Sequence, residues 1–346
     1  MKVIFEQENS DGIMYADTGI TKDEWLEMLT DGIINQRQLE VLLCFYREPE
    51  HQGVCNVLAK KYGGNANNFN TPIWQLGRSV QNYLNRFEIR GLDNNGKNTD
   101  DKVFWCITMT GKDSKQGYVW SVRPELCEAL EVYLYRNLVN VYRNRRKTTD
   151  LVEDDELYKW EYANECVDKS NLEIVRLSLP NRINLLGWRE KDQLRTMLKK
   201  QPEELDLLLK SLYDEEIEFS ERVKSFIQGV ATLKHNVDER AASVLLGAKM
   251  PNKYLFYKDS YYKDLCAYLG IKCAVAGDKY QHNTQIMRPI IDLVSHDKEL
   301  NGYLEKNIGS LLHSDLITAQ DVVYTIFERE LINPKKITDI FDWVPF

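Results

Sequence analysis

Apolar residues recur at helical spacing through most of this 346-residue chain. The clearest case begins at Pro124, where leucines follow at every fourth position from Leu126 to Leu138. Such spacing gives an α-helix one apolar face, and proline suits the first helical turn. The pattern predicts a helix over residues 124–147. Further helices are predicted at residues 23–29, 36–46, 53–62, 71–87, 190–200, 202–213, 219–235, 239–246, 259–269, 284–294, 300–312 and 318–331.

Few segments have the aromatic and β-branched composition that is typical of strands. Residues 103–108 and 118–122 have it, and a polar loop with two glycines joins them, which predicts a β-hairpin. Residues 174–179 are one further candidate strand, and the polar residues 92–101 predict a surface loop. The sequence therefore predicts a mainly α fold with a small β-hairpin, an α+β arrangement.

Charge is distributed unevenly along the chain. Residues 1–50 contain 4 Lys and Arg against 11 Asp and Glu, residues 51–148 contain 15 against 8, and residues 149–346 contain 26 against 34. A basic segment thus interrupts a chain of net charge −8, and an anionic partner is expected there. The change from basic residues at 143–147 to acidic residues at 153–156 predicts a domain boundary, with domains at 1–148 and 149–346.

The order of elements in the first domain is typical of a winged helix-turn-helix. Residues 53–62 are the predicted supporting helix, residues 71–87 the recognition helix and residues 103–122 the wing. The non-core face of the recognition helix carries amide and guanidinium groups, Gln81 among them, which can bond two atoms of a base edge. Lysines at the wing tip can contact phosphates. The candidate nucleic-acid contacts are Gln75, Arg78, Asn82, Asn85, Arg86, Lys112, Lys115, Arg143, Arg145 and Arg146.

Several of these features have a simpler alternative. A polar helix face is typical of any solvated helix, and a winged helix can dock a protein instead of nucleic acid. The basic run that ends at Lys147 can equally be a solvated helix end, where cations favour the helix dipole. Trp74 can stack on a base or pack against a neighbouring helix. A protein-interaction adaptor and a transcription regulator, which needs a dimer to read a two-fold site, therefore remain alternatives.

Catalytic motifs are absent from the sequence. Cys106 stands where a phosphate-binding loop that ends at Gly111 and Lys112 needs its first glycine, so no Walker A motif is present. Asp113 and Lys115 have the spacing of one nuclease signature but lie in a predicted turn. No zinc-protease or nucleophile-elbow motif occurs. We therefore expect no enzymatic activity from this chain.

The seven cysteines and five histidines have no metal-ligand spacing. We expect neither a metal nor another cofactor. No apolar run approaches the length of a membrane span, and the start of the chain lacks the pattern of a secretory signal. The sequence therefore predicts a cytoplasmic protein without a membrane partner.

Scattered motifs resemble the region that precedes the motor in McrB-like proteins. In the first half these are Trp25, residues 58–63 (LAKKYG) and residues 118–126 (YVWSVRPEL); in the second half they are residues 251–258 (PNKYLFYK) and 317–323 (ITAQDVV). The resemblance implies a non-catalytic DNA-recognition component of a modification-dependent restriction system. Its implied partners are DNA, an AAA+ GTPase or ATPase motor and a nuclease subunit. This chain departs from the McrB pattern because it lacks the motor, so the helical domain is expected to dock a motor or another partner.

Overall fold

The computed structural model describes residues 1–93 and 95–334. These residues form two compact units. The first contains Met1–Leu134 and Leu269–Ile271, and the second contains Tyr135–Tyr268 and Lys272–Ile332. The fold is mainly helical with a small amount of sheet, so the predicted fold class is confirmed at that level.

The first unit contains all the strands of the described chain. Its strands are β1 (Lys2–Phe5), β2 (Gln7–Glu8), β3 (Met14–Tyr15), β4 (Gln52–Val54), β5 (Phe87–Leu92), β6 (Asn98–Lys102), β7 (Met109–Lys112) and β8 (Val119–Val122). Its helices are α1 (Lys22–Thr30), α2 (Gln36–Tyr46), α3 (Cys55–Tyr62), α4 (Asn67–Leu84) and the first part of α5 (Pro124–Thr148).

Helices α1 and α2 begin where the sequence predicts, because each has a capping box. Thr21 accepts a hydrogen bond from the backbone of Glu24, whose carboxylate accepts one from the backbone of Thr21. Asn35 and Gln38 form the same reciprocal pair at α2. These bonds satisfy backbone N–H groups that the first helical turn leaves without partners. The predicted helix at 36–46 has the observed bounds of α2.

Helix α4 begins earlier than predicted. The sequence pattern predicts a start at Thr71, with Pro72 as the first helical residue, but Asn65 and Asn68 already bond reciprocally and start the helix at Asn67. Pro72 therefore lies inside α4, where it cannot donate to the carbonyl of Asn68. The guanidinium of Arg37 donates to that carbonyl instead, at 3.1 Å. An arginine of α2 thus compensates for the bond that the proline removes.

The strands form two sheets, in which β1–β5, β3–β7 and β4–β8 pair although they are distant in sequence. One has the order β1-β5-β6, with β1 and β5 parallel and Lys2 opposite Phe87. The other has the order β2-β3-β7-β8-β4 and is antiparallel. The residues predicted as a surface loop, 92–101, include part of β6, which pairs with β5. The loop prediction was therefore wrong for residues 98–101, which pair with β5, whereas residues 93 and 95–97 belong to an exposed connection between the two strands.

The predicted hairpin forms, but its first strand lies later in the chain. Strands β7 and β8 pair from Met109 opposite Val122 to Lys112 opposite Val119. Residues 103–108 are not a strand; Trp105–Ile107 form a short 3-10 turn. The turn packs against α4 so closely that a Cβ atom on Gly77 would lie 1.9 Å from the carbonyl oxygen of Phe104. Residues 104–107 thus contact helix α4 instead of forming the hydrogen bonds of a β-strand.

The described residues of the second unit form helices and the loops that connect them, without a strand. Besides the end of α5 it contains α6 (Tyr158–Cys166), α7 (Asn171–Ser178), α8 (Trp188–Lys200), α9 (Pro202–Tyr213), α10 (Phe219–Thr232), α11 (Glu239–Lys249), α12 (Asp259–Leu269), α13 (Lys279–His296), α14 (Lys298–Ile308) and α15 (Asp315–Glu328). The strand predicted at 174–179 is wrong. A capping box between Ser170 and Glu173 starts α7 there, and Ile174 and Val175 fill its buried face. Helix α6 was not predicted.

The two units divide inside α5, after Leu134, whereas the sequence predicts a boundary at residue 148. The segment predicted as a linker contains Asp154 and Glu156, which are both buried. That residues 1–148 form a separate domain therefore stays a prediction. The part of the predicted second domain beyond residue 334 lies outside the described residues.

Candidate nucleic-acid interface

Helix α4 has a fully buried face and an exposed polar face. Ile73, Leu76 and Val80 are at most 1% exposed and fix the rotation of the helix about its axis. With that rotation, the side chains of residues 75, 78 and 82 are exposed together on the other face, because positions three and four apart are neighbours on a helix. The structure thus brings Gln75, Arg78 and Asn82 together on one exposed face.

The exposed face of α4 carries no carboxylate. The 18 residues of the helix contain neither Asp nor Glu, in a chain with 53 of these residues. A solvated helix ordinarily mixes acidic and basic side chains. The face therefore offers hydrogen-bond donors and acceptors, and one guanidinium, without a negative charge to repel an anion.

Trp74 lies beside this polar face and is packed on one side. Its ring meets that of Phe104 edge to face, with 4.6 Å between centroids, while 40% of its surface stays exposed. Phe104 lies just before the 3-10 turn, so this ring contact joins α4 to that segment. An exposed indole held in this way retains a free surface for stacking.

Two side chains of the predicted recognition helix have structural roles instead. Gln81 is buried, and its side-chain oxygen accepts a hydrogen bond from the backbone of Ile89. Its placement on the non-core face was therefore wrong. Arg86 lies beyond the end of α4; its guanidinium donates to both carboxylate oxygens of Glu24 and, at 3.1 Å, to the carbonyl of Gly19. The hydrogen bond from Arg86 is the main reason that the pKa of Glu24 is lowered.

The end of α4 also differs from the prediction. Asn85 takes the left-handed conformation, with φ of 47°, and its N–H donates to the carbonyl of Gln81. Asparagine tolerates this conformation better than most residues. The chain then turns, and Phe87 starts β5 rather than continuing the helix to residue 87. Asn85 is exposed, so it borders the polar face while it ends the helix.

The two lysines of the predicted wing are exposed at the tip of the β7–β8 hairpin. Lys112 is the last residue of β7, and Lys115 lies in the turn closed by the N–H of Gly117 donating to Ser114. Within residues 1–93 and 95–334, neither lysine forms an ion pair. Their charges are therefore available to a ligand.

The three arginines near the end of α5 are ion-paired inside the second unit. Arg143 lies 3.0 Å from Asp297, and Arg145 and Arg146 each lie 2.6 Å from Asp154. Arg146 is 5% exposed, so it cannot reach a phosphate in this fold. Although burial opposes it, the hydrogen bonds and charges of Arg145 and Arg146 lower the pKa of Asp154. The run is thus neither a free basic patch nor a simply solvated helix end.

In the described part of the chain, no group of three or more His, Cys, Asp and Glu side chains is arranged to hold a metal ion. All seven cysteines are free, and five of them are buried. No helix among residues 1–93 and 95–334 combines the length and apolarity needed to cross a bilayer. Asp113 and Lys115 lie in the hairpin turn, as predicted.

Neither a protein-family model, nor a curated protein, nor a solved structure matches this chain. The resemblance to McrB-like proteins therefore stays a prediction, and the function is inferred from the residues themselves.

Proposed function

We propose that this protein is a non-catalytic DNA-recognition component of a restriction or defence system, which binds duplex DNA through the exposed face of α4 and the β7–β8 wing. The observation that carries the proposal is the face of Gln75, Arg78 and Asn82 on a helix without a carboxylate. Arginine, glutamine and asparagine are the side chains that bond bidentately to guanine and adenine edges. Lys112 and Lys115 supply phosphate contacts.

The topology of the first unit supports a winged-helix interpretation. A winged helix has a helix, a strand, two further helices and then a hairpin whose second strand pairs with the first strand. Here α2, β4, α3, α4, β7 and β8 follow one another with β5 and β6 inserted, and β4 pairs antiparallel with β8. In this arrangement α4 is the recognition helix, and the turn at Lys115 is the wing tip.

The proposed interface is smaller than the sequence indicates. Arg145 and Arg146 are excluded because Asp154 holds both guanidinium groups in ion pairs. Arg143 is excluded because it pairs with Asp297. Arg86 is excluded because it is bonded to Glu24. Gln75, Arg78, Asn82, Asn85, Lys112 and Lys115 remain.

The resemblance to McrB-like proteins supports the wider biological context. It favours a cytoplasmic system in which this chain recognises DNA, the second unit docks an AAA+ GTPase or ATPase motor, and a separate subunit cuts. The chain then contributes specificity and no catalysis.

The test is the binding of the full chain to fluorescent duplex DNA, measured by anisotropy over a range of salt concentrations. Arg78→Ala is expected to weaken binding by about 1–3 kcal/mol, unevenly among sequences, because arginine can bond directly to a base edge. The double variant Lys112→Ala and Lys115→Ala is expected to weaken binding evenly. It is also expected to reduce the log–log salt slope by about 0.9 for each phosphate that the lysines no longer neutralise.

The matched control replaces Lys199 and Lys200, two exposed lysines of α8, by alanine. It changes net charge as much as the wing variant does, and it is expected to leave the salt slope unchanged. Failure of the wild-type chain to bind DNA at low salt would contradict the proposal. So would binding that survives both interface variants with the same slope, and either result would favour the protein-interaction adaptor.

A further inference from the structure

The first unit contains a cavity of about 700 Å³. Of the residues proposed to contact DNA, Lys112 also lines this cavity. Its volume is within the range of small-ligand sites. Three aromatic rings, Trp105, Tyr118 and Trp120, line one side of it. Five carboxylates line it as well, from Glu6, Glu8, Asp11, Asp93 and Asp113.

The three rings stand edge to face with one another. Trp105 and Trp120 have centroids 4.9 Å apart and planes at 87°, and Tyr118 lies 5.0 Å from Trp120 and 5.7 Å from Trp105. Because the ring planes are steeply inclined to one another, the rings form a concave aromatic corner. A ligand group in this corner can contact the π faces of more than one ring. All three side chains are only half-buried, so their surfaces are open to the cavity.

Gly111 allows Tyr118 to take its place in this corner. A Cβ atom at Gly111 would lie 2.3 Å from the Tyr118 ring. Any residue other than glycine at position 111 would therefore displace that ring. Burial, followed by the charges of Glu6 and Asp113, raises the pKa of the Tyr118 hydroxyl. The phenol therefore stays protonated and neutral beside the carboxylates.

Glu6 is the most buried carboxylate of the cavity, with 8% of its surface exposed. The backbone N–H of Glu6 donates to the carbonyl of Arg90 at 2.8 Å, which fixes it at the end of β1. Burial raises the pKa of its carboxyl group, and the hydrogen bond from the backbone of Leu92 opposes this only in part. Among the described residues no cation forms an ion pair with it, and a buried carboxylate without one is costly.

We propose that this cavity binds an organic ammonium cation of the quaternary or methylated kind. Aromatic faces attract such cations through their quadrupoles, and methyl groups on nitrogen fill an aromatic corner without needing hydrogen-bond acceptors. Five carboxylates against the single cation of Lys112 favour positive charge over negative charge in the cavity. A bound ammonium also supplies the counter-charge that Glu6 lacks.

The test is calorimetric titration of the full chain with two probes of the same chemistry. Choline represents a free small molecule, and a short peptide with one trimethyllysine represents a modified protein. Binding of the choline probe alone identifies a small-molecule site, and tighter binding of the peptide identifies a modified protein as the source. The uncharged tert-butyl isostere of choline and the unmodified peptide are the ligand controls. We expect each control to bind about 10-fold or more weakly than its charged or methylated counterpart.

Three variants separate the aromatic corner from general effects on folding. Trp120→Ala is expected to weaken binding about 10-fold, and Trp120→Phe, which keeps a π face, is expected to retain most of it. Glu6→Gln removes the buried charge at constant size and is expected to weaken binding several-fold. Trp188→Ala, which removes a 74%-exposed indole of the second unit, is the matched control and should change nothing.

Three results would overturn the proposal. They are an absence of binding by both charged probes, equal binding of the uncharged isostere, and unchanged binding by both Trp120→Ala and Glu6→Gln. Arg78 and Lys115 do not line the cavity, whereas Lys112 does. Arg78→Ala and a single Lys115→Ala variant therefore test DNA binding without changing this site.

Discussion

Replacement of Lys159 by methionine is expected to lower the free energy of unfolding by about 3–5 kcal/mol. Lys159 is completely buried, and its ammonium lies 2.5 Å from a carboxylate oxygen of Asp321 and 2.5 Å from one of Glu156. The hydroxyl of Tyr142 donates to the second oxygen of Asp321. Methionine fills a similar volume but leaves the buried carboxylate of Asp321 without its ion-pair partner, and it leaves Glu156 with only Arg329, 4.0 Å away. Leaving a buried charge in this state is the costly half of a broken ion pair.

The pKa of Lys159 determines the pH at which to measure this loss. Burial alone would lower that pKa, but the charges of Asp321 and Glu156 outweigh it and raise the pKa above the ordinary value. A raised folded-state pKa stabilises the fold below the unfolded pKa, and the contribution is lost only as the pH rises through the folded value. Urea unfolding at pH 7 therefore reports the full contribution of the charge on Lys159.

The matched control is Lys199→Met on the exposed surface of α8, which should change stability by no more than about 0.5 kcal/mol. If Lys159→Met unfolded with the same midpoint as this control, the ion-paired arrangement around Asp321 would be wrong. Because separate units of a chain can open independently, the loss should be read from a probe inside the second unit, such as hydrogen exchange in α15.

Substitution of Gly77 by alanine is expected to destabilise the first unit by about 1–3 kcal/mol or more. Alanine in place of glycine inside a helix ordinarily adds up to about 1 kcal/mol of stability, so the predicted sign is opposite to the usual one. The reason is the approach of α4 to the backbone of Phe104, where the new Cβ would lie 1.9 Å from a carbonyl oxygen. Backbone must move to relieve that clash.

Gly302 provides the control for this prediction. It lies inside α14, and nothing is within 4 Å of the position that its Cβ would occupy. Gly302→Ala is therefore expected to be neutral or stabilising in the same thermal or urea unfolding measurement. If Gly77→Ala and Gly302→Ala both raised the free energy of unfolding, α4 would not approach the backbone of Phe104 as closely as described.

Most of the helices were predictable from sequence because they have their own apolar stripe and start signal; α6 and α7 are the exceptions. The cap residues Thr21 and Asn35 and the buried stripe of α4 are all recognisable locally. Strands β1, β2 and β3 are not, because they are two to four residues long and depend on partners in β5 and β7. A short strand carries too few alternating positions to be distinguished from a loop.

The basic residues at the end of α5 and the acidic residues that follow them have two possible interpretations, a domain boundary or a local ion-paired contact. Basic residues up to Lys147 and acidic residues from Glu153 are consistent with the two sides of a domain boundary. Their opposite signs over so short a separation equally predict two segments that fold onto each other, and Asp154 in fact holds both Arg145 and Arg146. Complementary charge on either side of a turn is therefore better interpreted as a local ion-paired closure.

The aromatic cavity could not be predicted from sequence. Trp105, Tyr118 and Trp120 have the composition of core strand residues, which predicts burial rather than a binding surface. Glu6 is nearly 100 residues away along the chain and enters the cavity only because β1 pairs with β5. A site assembled by a parallel pairing of this kind has no local pattern.

That parallel pairing also sets an order for synthesis. Lys2 lies opposite Phe87, so β1 leaves the ribosome long before its partner exists. At translation rates of about 5–20 residues per second the delay is on the order of ten seconds. The bonds of helices α1 and α2 are local and need no residue made later, whereas β4 pairs with β8, which is also synthesised afterwards. On the nascent chain β1 and β4 therefore stay without their strand partners until β5 and β8 are made, and unpaired strands of this kind are the surface that a ribosome-associated chaperone protects.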